Sequence, residues 1–217
     1  MERDPERLST VAVFYLFAAD WLPHDDRDDR DVAVPGGRAT MFPAYAHLAG
    51  VVLWDLHRRW MADLAVIRPV AAEPVRVMGG ASCVQVSLAA GGEPVGRVAG
   101  IAARVLELVR TAESPADNEL RRLLARLPER DPMPWGSLAS WPHTEVAEAG
   151  LVRQRGRMRP RIEIADPAAV ERVRPRFEEL RAAHVAFTGK HPDLHRAVLH
   201  DGWCAASWLH PGRGDDL

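Results

Sequence analysis

Two cysteines, Cys83 and Cys204, are too few for a disulfide framework or a cysteine-rich zinc site. An excess of one charge is also missing: Lys plus Arg is 28, Asp plus Glu is 30, and the formal net charge is −2. That excludes a polybasic coat over the whole chain but leaves room for a local patch. Long hydrophobic runs are absent. The charge-free stretch 8–19 falls short of the ~20 apolar residues a membrane span requires. Pro43, His47 and Gly50 interrupt the charge-free stretch 40–54, and the one at 78–92 is rich in glycine. The opening Met1–Arg7 mixes acids with bases, and no small-residue cleavage site follows the apolar run, which makes a poor secretory signal. These absences point to a cytoplasmic chain with reduced thiols. No G-x-G-x-x-G, no G-x-x-x-x-G-K-[ST] and no H-E-x-x-H occurs, so the common dinucleotide, nucleotide and zinc-protease signatures are excluded.

What is present suits a globular body. The 217 residues fit one domain, and a hydrophobic fraction of 47% against 27% charged supplies a core. Ser9-Thr10 followed by Val11, Phe14, Tyr15, Phe17 and Leu22 predicts a capped, buried helix closed by Pro23. Residues 23–40 read as a charged, solvated loop ending in the Pro35-Gly36-Gly37 turn, without calcium-loop spacing. Tyr45, Leu48, Val52, Leu56, Trp60 and Leu64, spaced by three and four, predict one long helix over 43–64. Val75–Met78 and Cys83–Leu88 predict a hairpin across Gly79-Gly80, glycines better explained by a turn than by a phosphate cradle. Helical periodicity returns over 98–108 and 120–127, then over 135–150, where Gly150 suits the position just past a helix end. A second hairpin is expected over 153–164. A helix capped by Asp166-Pro167 follows, with Val170, Val173, Phe177 and Leu180 inside, and a last helix comes after His191-Pro192-Asp193. The expectation is a single domain over 1–217, mainly α with two small β-hairpins, whose segment 135–180 has the helix–hairpin–helix order of a winged-helix unit.

The most distinctive chemistry is the alternation Arg153, Arg155, Arg157, Arg159, Arg161. On one strand all five would share a face, and a turn near Gly156 would split them between two antiparallel strands. Either arrangement concentrates guanidinium groups suited to phosphate or carboxylate, with Glu163 and Glu171 as internal partners that could neutralise them. The expected partners are an anionic lipid head group or an acidic protein surface, with homo-oligomers left open. Nucleic acid fits poorly, because the helix that would read bases carries Glu145 and Glu148.

The other candidates rest on residue type. A small enzyme could gather Trp54, His57, Trp60, His143, Glu145 and Glu148, with His143 or a carboxylate as general acid or base. His191, His195, His200, Asp201 and Cys204 invite a metal, but their spacing matches no ligand pattern and His191 precedes Pro192. No metal or cofactor is expected. Cys83 and Cys204 read as buried apolar groups, and the seven tryptophans, including Trp203 and Trp208, as packing residues.

Three stretches resemble the Golgi phosphoprotein 3 family, which has many bacterial members. They are Leu48-Ala-Gly-Val-Val-Leu-Trp-Asp-Leu-His-Arg-Arg-Trp60, then Glu145-Val-Ala-Glu-Ala-Gly-Leu-Val152 before a hairpin. The third is Ile164-Ala-Asp-Pro-Ala-Ala-Val170 with the later His191-Pro-Asp-Leu-His-Arg-Ala-Val-Leu199. The resemblance implies a mostly helical, non-catalytic domain that binds phosphatidylinositol 4-phosphate at a membrane surface. The arginines that hold the phosphate in that family fall near Ala49, Gly136 and Ala139. Its apolar hairpin tip is replaced here by Arg155-Gly-Arg-Met-Arg159. A member built this way would contact anionic lipid through the arginine-rich hairpin.

Overall fold

A computed structural model describes residues 7–24, 31–67, 83–90, 98–127, 137–156 and 161–209. Among them are eight helices and three two-stranded antiparallel sheets, in accord with a mainly α chain carrying small hairpins. No helix in this set is long and apolar enough to cross a membrane.

Helix α3 (Met41–Arg58) is the axis of the core. It is buried on almost every side, from Met41 and Phe42 through Tyr45, Leu48 and Leu53 to Trp54 and Leu56. A helix apolar all round must be enclosed by other elements. Helix α8 (Pro192–Leu209) lies along it at close range, because Gly202 brings the two backbones together at Ala46 and Gly50 faces Val198. Helices α1 (Thr10–Leu16) and α2 (Ala18–Trp21) cover another side. Phe14 is the hub there, meeting the rings of Trp21, Trp54, Phe177 and His184 edge-on at 5.1 to 6.1 Å. Each large side chain enclosed this way contributes roughly 1.5–3 kcal/mol. Helices α4 (Gly100–Arg110), α5 (Leu120–Ala125), α6 (Ser137–Glu148) and α7 (Pro167–Lys190) close the remaining sides around one cluster of buried apolar residues.

The predicted stripe of α7 is the one that docks: Val170, Val173, Phe177 and Leu180 are buried, and Asp166 caps the helix by accepting the Ala169 N–H at 2.9 Å. Three expectations need correction. The first helix is two, broken at Phe17. The supposed loop 23–40 contains a hairpin, β1 (Asp31–Val34) with β2 (Gly37–Thr40), whose two-residue turn is Pro35-Gly36. The long helix stops at Arg58 rather than Leu64. The Trp60 N–H bonds to the His57 carbonyl and the Met61 N–H to that of Leu56, both at 3.0 Å, a Schellman stop with Trp60 at φ +55°. Leu64 therefore belongs to β3 (Ala62–Ile67), which pairs with β4 (Cys83–Leu88). The expected partner strand 75–78 lies outside the described residues.

Candidate anion-contacting hairpin

Helix α6 ends where its glycine allows. Gly150, at φ +73°, sits past the last turn, its N–H bonded to the Ala147 carbonyl and the Leu151 N–H to that of Val146. Only glycine takes this left-handed conformation without strain. The chain then enters β5 (Val152–Arg155), turns at Gly156, and returns as β6 (Arg161–Ile164). The order helix–glycine–hairpin–helix predicted for 135–180 is the observed one.

Register decides which side chains share a face. Val152 lies opposite Ile164 and Gln154 opposite Ile162, and Val152 and Ile162 are buried. Ile162 also accepts the Gly36 N–H at 3.2 Å, fastening the ribbon to the β1–β2 turn. The other face then carries Arg153 opposite Glu163 and Arg155 opposite Arg161. Both Arg153 and Arg155 reach the Glu163 carboxylate, through Nε at 3.1 and 2.9 Å, while staying 56% and 59% exposed. Arg161 is exposed and makes no ion pair among the described residues. Two guanidinium groups thus share one carboxylate, and a third, that of Arg161, stands directly across the ladder from Arg155. Like charges in that position oppose strand pairing. Arg157 and Arg159 lie outside the described residues.

The arginines that follow on α7 have other tasks. Arg174 lies over the Phe17 ring and reaches Asp20 at 3.0 Å and Glu171 at 3.1 Å. Those two carboxylates raise its pKa. Arg176 is turned inward, donating to the Leu8 carbonyl at 2.9 Å. Beside Arg174, a cleft of about 320 Å³ opens over Phe17, Ile164 and Val170.

The residues proposed for an enzyme pocket face different neighbours. Trp54 is buried, 6.1 Å from Phe14 and 5.2 Å from His184, with the Arg58 guanidinium over it at 4.7 Å. His57 points its Nδ1 at the Ala62 carbonyl, 3.2 Å away, and Trp60 projects outward, 55% exposed. His143 Nδ1 is 3.2 Å from the Tyr15 hydroxyl, where burial raises the tyrosine pKa. Glu145 accepts both the Ser9 N–H and, at 2.8 Å, the Ser9 hydroxyl, while that same oxygen accepts the Ala12 N–H. Glu145 therefore braces α6 against the start of α1 and His143 against its end, while Glu148 is exposed. Sequence reading also missed the neighbouring hub. Asp55, only 2% exposed, accepts Thr10 Oγ1 at 2.8 Å, Arg58 Nε at 2.9 Å and Arg59 Nε at 3.0 Å.

The terminal histidines diverge. His191 caps α7 against Phe187, His195 faces His47, and His200 lies beside Cys204. No group of three or more His, Cys, Asp or Glu among the described residues is arranged to hold a metal ion. Of the two cysteines expected to be buried, Cys83 is and Cys204 is not fully so. Cys83 is buried and its thiol is pushed up to about 11, mainly by burial and then by Glu119 and Asp201. Cys204 is only partly buried, with its sulfur 3.9 Å from His200 Nε2, a neighbour one helical turn back. Its thiol is raised as well, by burial and by Asp201, so it is no activated nucleophile.

No protein-family model matches this chain, and no curated protein or solved structure matches it.

Proposed function

We propose that the chain is a non-catalytic binding protein whose β5–β6 outer face contacts anionic lipid head groups, phosphoinositides among them, as a peripheral membrane adaptor. The observation that carries this reading is the surplus of guanidinium over carboxylate on an exposed, two-stranded platform. An anion placed between Arg155 and Arg161 relieves their mutual repulsion and leaves Glu163 to Arg153. The ribbon itself is held by the buried Val152 and Ile162, so the charged face is presented on a rigid base. The likeness to the Golgi phosphoprotein 3 family points the same way.

Reading of bases by α6 is disfavoured by packing: Leu138, Ala139, Ser140, His143, Glu145 and Val146 are all buried, leaving little helix to enter a groove. Co-sedimentation with phosphatidylserine-containing vesicles tests the proposal. Each cation near such a surface contributes roughly 1 kcal/mol, so changing Arg153, Arg155 and Arg161 to Gln lowers affinity about 100-fold. Wild-type binding equal on neutral and anionic vesicles refutes the lipid reading, and binding only to an acidic protein or to duplex DNA moves the face to another partner.

A further inference from the structure

Three helices, α3 and the consecutive pair α7 and α8, each send one imidazole to the same place. His47 of α3 and His195 of α8 have ring centroids 6.2 Å apart, and His184 of α7 lies 6.4 Å from His195. Aromatic rings wall them in: Trp21 stands 5.9 Å from His47, while Trp54 and Phe14 stand 5.2 and 5.7 Å from His184. Beside them is a gap of about 10 Å³ between Trp54, His184 and His195, too small for a ligand. Among the described residues, none of the three rings hydrogen-bonds to another group.

We propose that His47, His184 and His195 form an acid-sensitive latch, which holds α7 and α8 against α3 while neutral and releases the second half of α7 once protonated. Among the described residues the seam lacks a counter-charge. On α2, Asp20 is engaged by Arg174, and on α3, Asp55 is engaged by Arg58 and Arg59. On β3, Asp63 accepts the Ala90 N–H, and on α8, Asp193 faces Arg196 and Asp201 accepts the Val84 N–H. On α7, Glu178 faces Arg181. Arg58 lies over Trp54, and the His57 and His191 rings both lie against Phe187. A proton on any one ring therefore meets only aromatic walls and other bases, and the first proton makes the next two harder to accept.

Burial first, and then the charge of His195, lowers His47 and His184 from 6.5 to about 4, and burial lowers His195 as well. A folded-state value below the unfolded one means the stabilisation is complete above about pH 6.5 and lost as the pH falls toward 4. The release is local because α7 docks its far half through few residues, chiefly Leu180, His184 and Phe187, with Val185 left 60% exposed.

Amide exchange resolved by segment, corrected for intrinsic rates and recorded from pH 7.5 to 4.5, tests the latch. The expected result is that residues 178–190 lose protection with a midpoint between pH 6 and 4.5, while the middle of α3 keeps it. The His47→Gln, His195→Gln double variant moves that midpoint down by at least half a pH unit, and His184→Phe, which keeps a ring in place, does the same. Loss of protection in α3 at the same pH as in α7, or an unmoved midpoint in the double variant, overturns the proposal. If His184→Phe does not fold, the double variant alone decides, since both its rings are only partly buried.

Discussion

Replacing Gly202 by alanine sets two effects of opposite sign against each other, and the structure decides between them. In a helix interior the change gains about 1 kcal/mol, because alanine loses less backbone entropy and is the better helix former. At this position, however, the new Cβ would lie 2.7 Å from the Ala46 Cα and 3.1 Å from its Cβ. Carbon atoms rest at roughly 3.5–4.0 Å. The nearest obstacle is backbone, so no rotamer change clears it, and α8 must draw back from α3 by about 1 Å. That movement loosens contacts along the same seam, including Phe42 against Trp203 at 5.3 Å. Overpacking costs typically about 1–3 kcal/mol, and an immovable backbone atom at 2.7 Å puts this site in the upper part of that range; set against the gain of about 1 kcal/mol, Gly202→Ala is left about 1–2 kcal/mol less stable. Urea denaturation followed by circular dichroism measures the difference. Gly189→Ala in α7, where a Cβ would meet nothing within 4 Å, is the control and should be neutral or slightly stabilising. Adding Ala46→Gly should not rescue Gly202→Ala, because the Ala46 Cα remains. A Gly202→Ala protein as stable as wild type would refute the close-approach argument for the α3–α8 seam.

Other perturbations follow from single residues. Trp60→Gly removes an exposed side chain from a left-handed position that glycine prefers, and should raise stability by roughly 1 kcal/mol in the same denaturation assay. Asp55→Asn keeps the shape but leaves Arg58 and Arg59 without their shared charge, and should cost about 3 kcal/mol, seen as a lowered urea midpoint. For the histidine seam, two folded-state values near 4 against 6.5 imply up to about 3 kcal/mol lost per histidine between neutral pH and pH 4, an upper bound because the rings are partly hydrated. Global stability measured across that range should fall steeply, and should fall less in the His47→Gln, His195→Gln variant.

Much of the scaffold was legible because its signals are local. The inner stripe of α7, its Asp166 cap, Gly150 past the end of α6 and the turn at Gly156 are each written within a few residues of sequence. The end of α3 was not, because the chain turns left-handed at a tryptophan, where composition gives no warning, and Leu64 happens to keep the helical period while lying on a strand. Strand β1 was hidden beside a run of charges, since its apolar residues, Val32 and Val34, are few. The arginine face could be read from alternation alone, but which arginines share Glu163 depends on register. The grouping of histidines 47, 184 and 195 gave no signal, because only tertiary packing brings α3, α7 and α8 together.

Glu163→Gln tests the hairpin most directly, because it removes the one acid among the described residues of the outer face while leaving every arginine and the backbone register in place. The net charge of the described part of that face rises by one, so binding to phosphatidylserine vesicles should tighten about fivefold at low salt, and the gain should shrink as salt is raised. Unchanged or weaker binding by Glu163→Gln would contradict the assignment of this face as the contact surface.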